Sequence, residues 1–371
     1  MGAEAIYAKG LEGVIAGETS ISHVEGDIGR LSYRGVDINE LIQWPYLDVL
    51  ALVLTGKRKL DSEVAAILKQ GALSTRERAC LAAIGTGHHP MRMLQAMLPL
   101  LDSRASESAL TEKTSEEAIA RGAAILAKMP TLIATYHAQQ LGKPDPEYHS
   151  DEDYLANYLR MFTGEVPNEE ALNVFRTVQI LQLEHSYNAG TFTALVAAST
   201  LAPVDSVMSA GVGALFGTLH GGADEAALRD AKSVGTPDKA AEFVEQLLAR
   251  KGKLMGMGHR EYRLVDPRAK ILKPLAKSLC AGTEHENTYA TLEALEVAFN
   301  KKMQEKGKEV WANLEFYKGP VYEALGIPAE YFTATFAISR AVGWLAHFIE
   351  SRQDNRIIRP KAAYIGKLPG E

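Results

Sequence analysis

Residues 329–350 read AEYFTATFAISRAVGWLAHFIE, a stretch with regularly spaced aromatic residues. Aromatic side chains recur every four residues at Phe332, Phe336, Trp344 and Phe348, and Arg340 takes the remaining place in the series. This spacing puts all five on one face of an α-helix. An arginine inside an aromatic face needs a partner, because desolvating an unpaired charge costs much free energy. The stretch therefore predicts a buried helix whose arginine either forms a structural ion pair or grips a carboxylate bidentately.

Helical spacing of apolar residues continues through most of the chain before this stretch. It predicts helices near 38–42, 50–54, 64–68, 76–84, 91–101, 116–140, 154–162, 169–183, 240–250, 267–279 and 288–306. Residues 191–219 are rich in small apolar residues but are interrupted by Pro203 and Asp205, which favours two buried helices over a membrane span. Their small side chains would allow close packing of helices, in the core or in a dimer interface.

The N-terminal part of the chain has a different pattern. Residues 10–35 hold six glycines among Val, Ile, Leu and Tyr, which is typical of short strands and turns. Asp37 is a plausible cap for the first helix, and residues 142–153 predict a polar loop. No long alternation of apolar and polar residues follows residue 35. The predicted fold class is mostly α, with a short N-terminal β element.

Composition places the chain among ordinary globular proteins. Of its 371 residues, 46% are hydrophobic and 23% are charged, and the net charge of -6 argues against nucleic-acid binding. Two cysteines, Cys80 and Cys280, imply no disulfide framework and fit a reducing compartment. The opening residues MGAEAIYAKGLEGV lack the basic and apolar regions of a signal peptide. We therefore expect a cytoplasmic protein with no nucleic-acid and no membrane partner.

Three histidines stand in unusual settings. The chain has no Walker A motif, no GxGxxG after a strand, no CxxC pair and no HExxH, so the commonest nucleotide, redox and metal sites are not expected. His185 lies in EHSYNAGTF, His220 in FGTLHGGADEAAL and His259 in LMGMGHREYRLVDPRA. Taken singly, each is more often structural than catalytic. Together, in glycine-rich turns, they indicate a functional site.

The surroundings of His220 and Arg268 add to this interpretation. Paired glycines after His220 let backbone approach a ligand closely. A helix is predicted to follow these glycines, with Asp224 in its first turn, and its N-terminus would favour the neutral imidazole, which can donate a hydrogen bond to a developing oxyanion. Asp266 and Pro267 are typical of a helix cap and first position, so Arg268 falls in the first turn, where a cation opposes the helix dipole. Arg268 therefore forms either a surface salt bridge or a site for a bound anion.

An ordered set of motifs resembles the citrate synthase family over essentially the whole chain. The motifs are GLEGVIAGETSISHVEGDIGRLSYRGVDINELI, HPMRMLQ, YLANYLRMFTGE, HSYNAGTFTALVAAST, LHGGADE, MGMGHREYRLVDPRA, FYKGPVYEALGIP, FAISRAVGWLAH and RIIRPKAAY. The resemblance implies a two-domain α-helical fold. Its large domain, which forms the dimer, would comprise residues 1–220 and 319–371. Residues 221–318 would form a small domain that closes over the active site.

The resemblance also implies roles for individual residues. His220 would stabilise the enolate of an acetyl thioester, and His259 would bind and protonate the keto oxygen of oxaloacetate. The keto acid would be held by His185 and Asn188 and by three arginines, Arg268, Arg340 and Arg359. Coenzyme A would meet the backbone of Leu254, Met255, Gly256, Met257 and Gly258, with Arg263 near its phosphates and Lys253 and Lys361 as weaker candidates. Arg359 would come from the other subunit of a homodimer.

One position departs from the family pattern. The catalytic base is usually an aspartate in a segment like PNVDFYSG, but here the segment reads WANLEFYKG, so Glu315 stands in its place and Lys318 replaces a small residue. The intrinsic pKa values of the two acids are nearly equal, but the extra methylene moves the carboxylate by roughly an ångström. Either the backbone compensates for this shift, or the chain is a weakly active or altered relative.

The implied reaction is the condensation of acetyl-CoA with oxaloacetate, followed by hydrolysis of citryl-CoA. No permanently bound cofactor and no metal are expected; coenzyme A enters as the thioester co-substrate. Two alternatives are open: a 2-methylcitrate synthase that uses propionyl-CoA, and a non-catalytic protein that binds the diacid and coenzyme A. A purely structural helical dimer is disfavoured by Arg340 in its aromatic face.

Overall fold

The computed structural model describes residues 7–101, 112 and 114–369, and most of this part of the chain is α-helical. The helices are α1 (Ile38–Leu41), α2 (Tyr46–Thr55), α3 (Ser62–Leu68), α4 (Thr75–Ile84), α5 (Pro90–Met97), α6 (Ser115–Gln140), α7 (Tyr154–Thr163), α8 (Glu169–Leu181), α9 (Ala189–Ser199), α10 (Val204–Leu215), α11 (Ala223–Val234), α12 (Ala240–Ala249), α13 (Pro267–Cys280), α14 (Glu286–Gln304), α15 (Leu314–Ala324) and α16 (Phe332–Gln353). The predicted fold class, mostly α with a short N-terminal β element, is confirmed.

The β element is one antiparallel sheet of three strands, β1 (Ser22–Glu25), β2 (Arg30–Tyr33) and β3 (Val36–Asp37), in the order β1-β2-β3. The turn between β1 and β2 lies against the segment that carries His259. A Cβ atom on Gly26 would lie only 1.8 Å from the Glu261 carbonyl oxygen, so no larger residue fits there. The Arg263 N–H donates to the Gly26 carbonyl at 3.1 Å. The sheet therefore supports one side of the candidate site.

Helix α16 is the centre of the core, as its aromatic spacing predicts. Every residue from Phe332 to Ile349 is buried, and the helix packs against α2, α6, α9 and α10. Close packing depends on glycines in the neighbouring helices. A Cβ atom on Gly211 of α10 would lie 2.7 Å from the Trp344 ring, and one on Gly122 of α6 would lie 2.3 Å from the Leu345 side chain. The two small-residue helices predicted within 191–219 are α9 and α10.

Other boundaries follow the sequence pattern closely, with two informative differences. Residues 329–331 form a 3₁₀ turn, and α16 begins at Phe332. The pattern does not predict α15, because Gly319 and Pro320 stand in its middle and both weaken an isolated helix. Helix α6 is long and apolar enough to cross a membrane by composition alone, but 83% of its most apolar stretch is buried within the protein, as in a core helix.

The contact between Gly211 and Trp344 gives a test of the core. We expect Gly211→Val to lower the free energy of unfolding by about 1–3 kcal/mol, because the added side chain overlaps a fully buried indole. Thermal and denaturant unfolding measure this change. Gly87→Val is the control, since nothing lies within 4 Å of a Cβ atom at Gly87. Equal stability of the two variants would contradict the packing described for α10 and α16.

Candidate active site

The loop that carries His259 is held in place by backbone contacts with the segment before α15. Gly256 and Gly258 have positive φ angles of 82° and 87°, which glycine adopts without strain. A Cβ atom on Gly256 would also lie 2.9 Å from the Phe316 Cα atom. The Gly258 N–H donates to the Trp311 carbonyl at 2.8 Å, and the Asn313 side chain donates to the Gly258 carbonyl at 2.9 Å. His259 thus follows a rigid turn.

The ring of His259 has a defined tautomer. Its Nδ1 atom accepts hydrogen bonds from the backbone N–H groups of Glu261 at 3.0 Å and Tyr262 at 3.2 Å. Burial, and then the charge of Arg268, lower the pKa of His259 to about 4. The ring is therefore neutral at physiological pH, and its proton is on Nε2, 3.5 Å from the Arg268 Nη2 atom. A neutral Nε2–H group can donate to a keto oxygen.

His185 and Tyr262 complete this side of the site. The His185 Nε2 atom lies 3.1 Å from the Tyr262 hydroxyl, and the rings of His185 and His259 are 5.2 Å apart. Burial, and then the charge of Arg268, hold the pKa of His185 well below its usual value. The sequence interpretation missed Tyr262, although it lies within the GHREYR motif. Its position three residues after a candidate catalytic histidine is the sequence feature that could have identified it.

Asp266 ties three parts of the site together. Its carboxylate pairs bidentately with the Arg268 guanidinium at 3.0 and 2.8 Å and also accepts the Leu314 N–H at 3.2 Å. Burial alone would raise the pKa of Asp266, but the Arg268 charge lowers it below its ordinary value. The predicted helix cap at Asp266 is confirmed by its bond to the Arg268 N–H at 2.9 Å. The surface interpretation of Arg268 is wrong, because only 6% of the residue is exposed.

Arg340 is a buried cation with little local compensation. It is 2% exposed, its Nε atom donates to the Gln182 carbonyl at 2.8 Å, and its guanidinium lies 4.7 Å from the centre of the Phe336 ring. Within the described part of the chain, no carboxylate lies within salt-bridge distance of it. Burial lowers the pKa of Arg340, and the charge of Glu184 opposes this shift. The structural ion pair considered for Arg340 is therefore not present among those residues, and the guanidinium suits an incoming anion.

His220 lies in the turn after α10 and meets the N-terminus of α9. Its Nε2 atom accepts the Gly190 N–H at 3.2 Å, so a neutral ring carries its proton on Nδ1. Burial, and then the charge of Arg340, lower the pKa of His220 to about 4. The helix end that contacts His220 belongs to α9 and not, as the sequence suggested, to the helix that follows. Asn188, predicted to hold the keto acid, caps α9 by accepting the Thr191 N–H at 3.1 Å.

Glu315 lies in the first turn of α15 and is part of a buried charge cluster. The Lys318 Nζ atom lies 2.5 Å from the Glu315 Oε2 atom and 3.1 Å from the Asp224 Oδ2 atom. Lys318 and Asp224 are fully buried, whereas 15% of the Glu315 side chain is exposed. The charge of Glu315 raises the pKa values of both His220 and His259, against the larger effect of burial. Glu315 is therefore within electrostatic range of both histidines.

The predicted coenzyme A residues are less tightly grouped. A pocket of about 180 Å³ borders them and is lined by Gly258, His259, Tyr262, Arg263, Leu264, Asp266, Glu309, Val310, Trp311 and Ala312. That volume is below the roughly 300–1,000 Å³ usual for ligand sites, so the pocket fits only part of such a molecule. Leu254 is buried, Met255 and Met257 are partly buried, and Lys253 is exposed. Arg263 is also exposed and pairs with Asp27 at 3.1 Å.

Two predicted residues lie apart from the histidine cluster. Arg359 and Lys361 belong to an exposed, extended segment after α16, and the Arg359 side chain donates to the Pro360 carbonyl at 2.7 Å. Within one chain, the structure therefore brings His185, His259 and Arg268 into direct contact. His220 lies close enough to Arg340 and Glu315 for their charges to change its pKa. It gives Arg359 and Lys361 no contact with this group.

Comparison with known proteins identifies the family of the chain. The family model described as citrate synthase, C-terminal domain, matches residues 10–361. The chain belongs to the citrate synthase family. It is 38% identical to the citrate synthase of Synechocystis sp., over 97% of this chain and 91% of that relative.

Solved citrate synthase structures have the same fold. The enzyme from Pyrobaculum aerophilum is 35% identical, with a TM-score of 0.89, over 98% of this chain and 93% of that one. The enzyme from Thermoplasma acidophilum, solved as a ternary complex with carboxymethyl coenzyme A and oxaloacetate, is 27% identical. Its TM-score is 0.90, over 99% of this chain and 98% of that chain.

The state of His220 can be measured directly. We expect its ring to stay neutral above about pH 5, because its pKa of about 4 lies below the value of roughly 6.5 for a free imidazole. Nitrogen-15 NMR of the histidine rings should show the proton on Nδ1, with His220→Gln used to assign the signals. Exposed His23 serves as the reference for an accessible imidazole. A midpoint for His220 at or above 6.5 would contradict the burial and the Gly190 contact described for it.

Proposed function

We propose that this chain condenses acetyl-CoA with oxaloacetate and hydrolyses citryl-CoA to citrate and coenzyme A. The observation that carries the proposal is a buried arginine pair, Arg268 and Arg340, set beside two neutral histidines and one carboxylate. Such a site suits a dianionic acid and a reaction in which negative charge develops on two oxygens. The relative from Thermoplasma acidophilum, which binds oxaloacetate and a coenzyme A analogue, supports these substrates.

Oxaloacetate binding would depend on the two buried cations. Arg340 has no carboxylate partner among the described residues, so the first carboxylate of the diacid would complete its pairing. Arg268 already holds Asp266 through Nε and Nη2, and its remaining Nη1 donor is available to the second carboxylate. His259 would donate its Nε2–H to the keto oxygen. Since the cations are buried in advance, binding needs little rearrangement of them.

In the condensation step, Glu315, His220 and His259 would each act on a different proton. Glu315 would remove a proton from the thioester methyl group, and the C–H electrons would form an enolate whose oxygen receives a hydrogen bond from the Nδ1–H of His220. The nucleophilic carbon would then attack the keto carbon, forming the new C–C bond. The electron pair of the carbonyl would move to its oxygen, which takes the Nε2 proton of His259; the proton that Glu315 removed would then restore the ring to its neutral form. Water would afterwards cleave the thioester and release coenzyme A.

Coenzyme A would lie along the loop of residues 253–258. Its backbone groups would recognise the adenine, and exposed Arg263 and Lys253 would meet the phosphates. Lys361 and Arg359 lie on the extended tail, which does not contact the candidate site of its own chain. We propose that the tail reaches the site of a second copy, where Arg359 of the partner subunit would contact oxaloacetate. The proposed active unit is thus a homodimer.

Domain closure and location complete the proposal. Residues 221–318 would move as the small domain over the remaining residues once oxaloacetate binds. The predicted boundary at 220/221 falls in the turn between α10 and α11, whereas the one at 318/319 falls inside α15. A hinge at the end of α15 would fit the helix better than one within it. We also propose a cytoplasmic location, since the free thiols of Cys80 and Cys280 fit a reducing compartment.

The assay that tests the proposed function follows free thiol release from acetyl-CoA with oxaloacetate, and identifies citrate as the second product. Propionyl-CoA, run in parallel, decides between a citrate and a 2-methylcitrate synthase by the ratio of the two kcat/KM values. Tight binding of both substrates without thiol release would identify the non-catalytic alternative. No binding of oxaloacetate would contradict the proposed site itself.

The proposed base is tested by Glu315→Gln. We expect kcat for thiol release to fall by about 10²–10⁴-fold, because the amide cannot accept the methyl proton. The KM for oxaloacetate should change little, since the arginines that hold it are intact. Glu323→Gln is a matched control on the same helix, where the carboxylate pairs with Lys232 and lies 3.8 Å from His285, a histidine outside the candidate site. Full activity of Glu315→Gln would overturn the assignment.

A further inference from the structure

The ammonium group of Lys318 lies at the centre of the buried cluster beside Glu315. Three oxygen atoms surround it: Glu315 Oε2 at 2.5 Å, Asp224 Oδ2 at 3.1 Å and Gln182 Oε1 at 3.3 Å. The two carboxylates are within ion-pair distance of the ammonium, and Gln182 accepts a hydrogen bond from it. The Phe336 ring, 4.3 Å from Nζ, covers another side. The position of this cation is therefore fixed.

The fold builds this cluster from three separate elements. Lys318 and Glu315 are three residues apart on α15, so their side chains share a face. Asp224 comes from the first turn of α11, and Gln182 follows the end of α8. Helices α11 and α15 approach closely because Gly319 has no side chain: a Cβ atom there would lie 2.9 Å from the Leu228 Cβ atom. Lys318 can thus reach Asp224 across the helix interface.

The charges in the cluster explain why Asp224 and Lys318 occur together. Asp224 is fully buried, and burial raises its pKa to about 6, while the Lys318 charge opposes that shift. A buried carboxylate without a cation would be costly, and so would a buried ammonium without carboxylates. Asp224 and Gln182, on two other elements of the fold, together hold the ammonium. Its remaining contact is to Glu315, the residue whose side chain is one methylene longer than the family pattern.

We propose that Lys318 is a positioning residue that sets the reach of Glu315. Anchored by Asp224 and Gln182, its ammonium draws back the Oε2 atom of the longer side chain. Oε1 is then presented where the shorter aspartate of the family pattern would place its carboxylate. The inference rests on the proposed function of Glu315 as the base. The extra methylene of Glu315 is then accommodated by a tether, the ion pair at the tip of its side chain, and not by a shifted backbone.

The experiment compares the removal of the tether in two backgrounds. Asp224→Asn and Lys318→Ser are combined, so that neither member of the fully buried Asp224–Lys318 pair is left without its partner. With Glu315 present, we expect kcat to fall by about 100-fold, the effect of an ångström of misplacement, with the KM for oxaloacetate unchanged. With Glu315→Asp added, most of the lost kcat should return, because the shorter side chain needs no tether. Glu315→Asp alone, with Lys318 kept, should be slow.

Controls separate positioning from loss of structure. Lys232→Ser removes a surface ion pair to Glu323 that joins the same two helices, and it should keep full kcat. Circular dichroism and thermal unfolding check that each variant is folded. If the paired variant does not fold, Asp224→Asn alone loosens the anchor and should give a smaller loss that Glu315→Asp again reverses. Equal losses in the glutamate and aspartate backgrounds, or no loss with glutamate, would overturn the proposal.

NMR can follow the exchange of the acetyl-CoA methyl protons in deuterated water. This measurement tests the positioning role of Lys318 separately from the proposed condensation. Exchange reports proton removal by Glu315 without the later steps. A wild-type chain that exchanges but releases no thiol contradicts the condensation alone, and the tether is then judged from exchange rates in the same variants. A chain that neither exchanges nor releases thiol overturns both.

Discussion

The site depends on the carboxylate of Asp266, which joins elements that are far apart in sequence. It pairs bidentately with Arg268 and accepts the Leu314 N–H at the start of α15, so the cation proposed to bind the diacid and the helix that carries Glu315 have one anchor. The same Arg268 lies 3.5 Å from the Nε2 atom of His259. A buried carboxylate is stable only with such partners: burial raises the pKa of Asp266, and the charge and hydrogen bonds of Arg268 together lower it. Asp266 therefore fixes Arg268 and the start of α15 relative to each other.

Charged and titratable side chains are accommodated in this interior in three different ways. The histidines are kept neutral by burial and by nearby arginines, so that His220 and His259 act as hydrogen-bond donors and not as cations. Arg340, in contrast, stays charged although no carboxylate of the described residues lies within salt-bridge distance of it. Its guanidinium can therefore pair with a ligand. The lysine at 318 is treated differently again, because three oxygens surround it. Fixed dipoles and charges of this kind stabilise a developing oxyanion without rearrangement during the reaction.

The sequence predicted most of the fold and the identity of the family, because helical periodicity and ordered motifs are local properties. The buried α16 and the paired helices α9 and α10 followed from spacing and small side chains alone. Long-range contacts were harder to predict: the sequence left a surface salt bridge open for Arg268, assigned the wrong helix end to His220 and missed Tyr262. The partner of Lys318 could not be predicted, because Asp224 reaches it only through the close approach of α11 and α15 at Gly319. The roles of the site residues, the dimer and the domain division stay predictions.

A structure of this chain with oxaloacetate and carboxymethyl coenzyme A bound tests the central claim most directly, since it shows whether the groups linked through Asp266 meet on one ligand. We expect the carboxylates of oxaloacetate on Arg268 and Arg340, its keto oxygen at the Nε2 atom of His259, and the Glu315 Oε1 atom next to the carboxymethyl group, while Asp266 keeps its bonds to Arg268 and Leu314. Oxaloacetate bound away from both arginines, or a Glu315 carboxylate turned away from the analogue, would contradict the account.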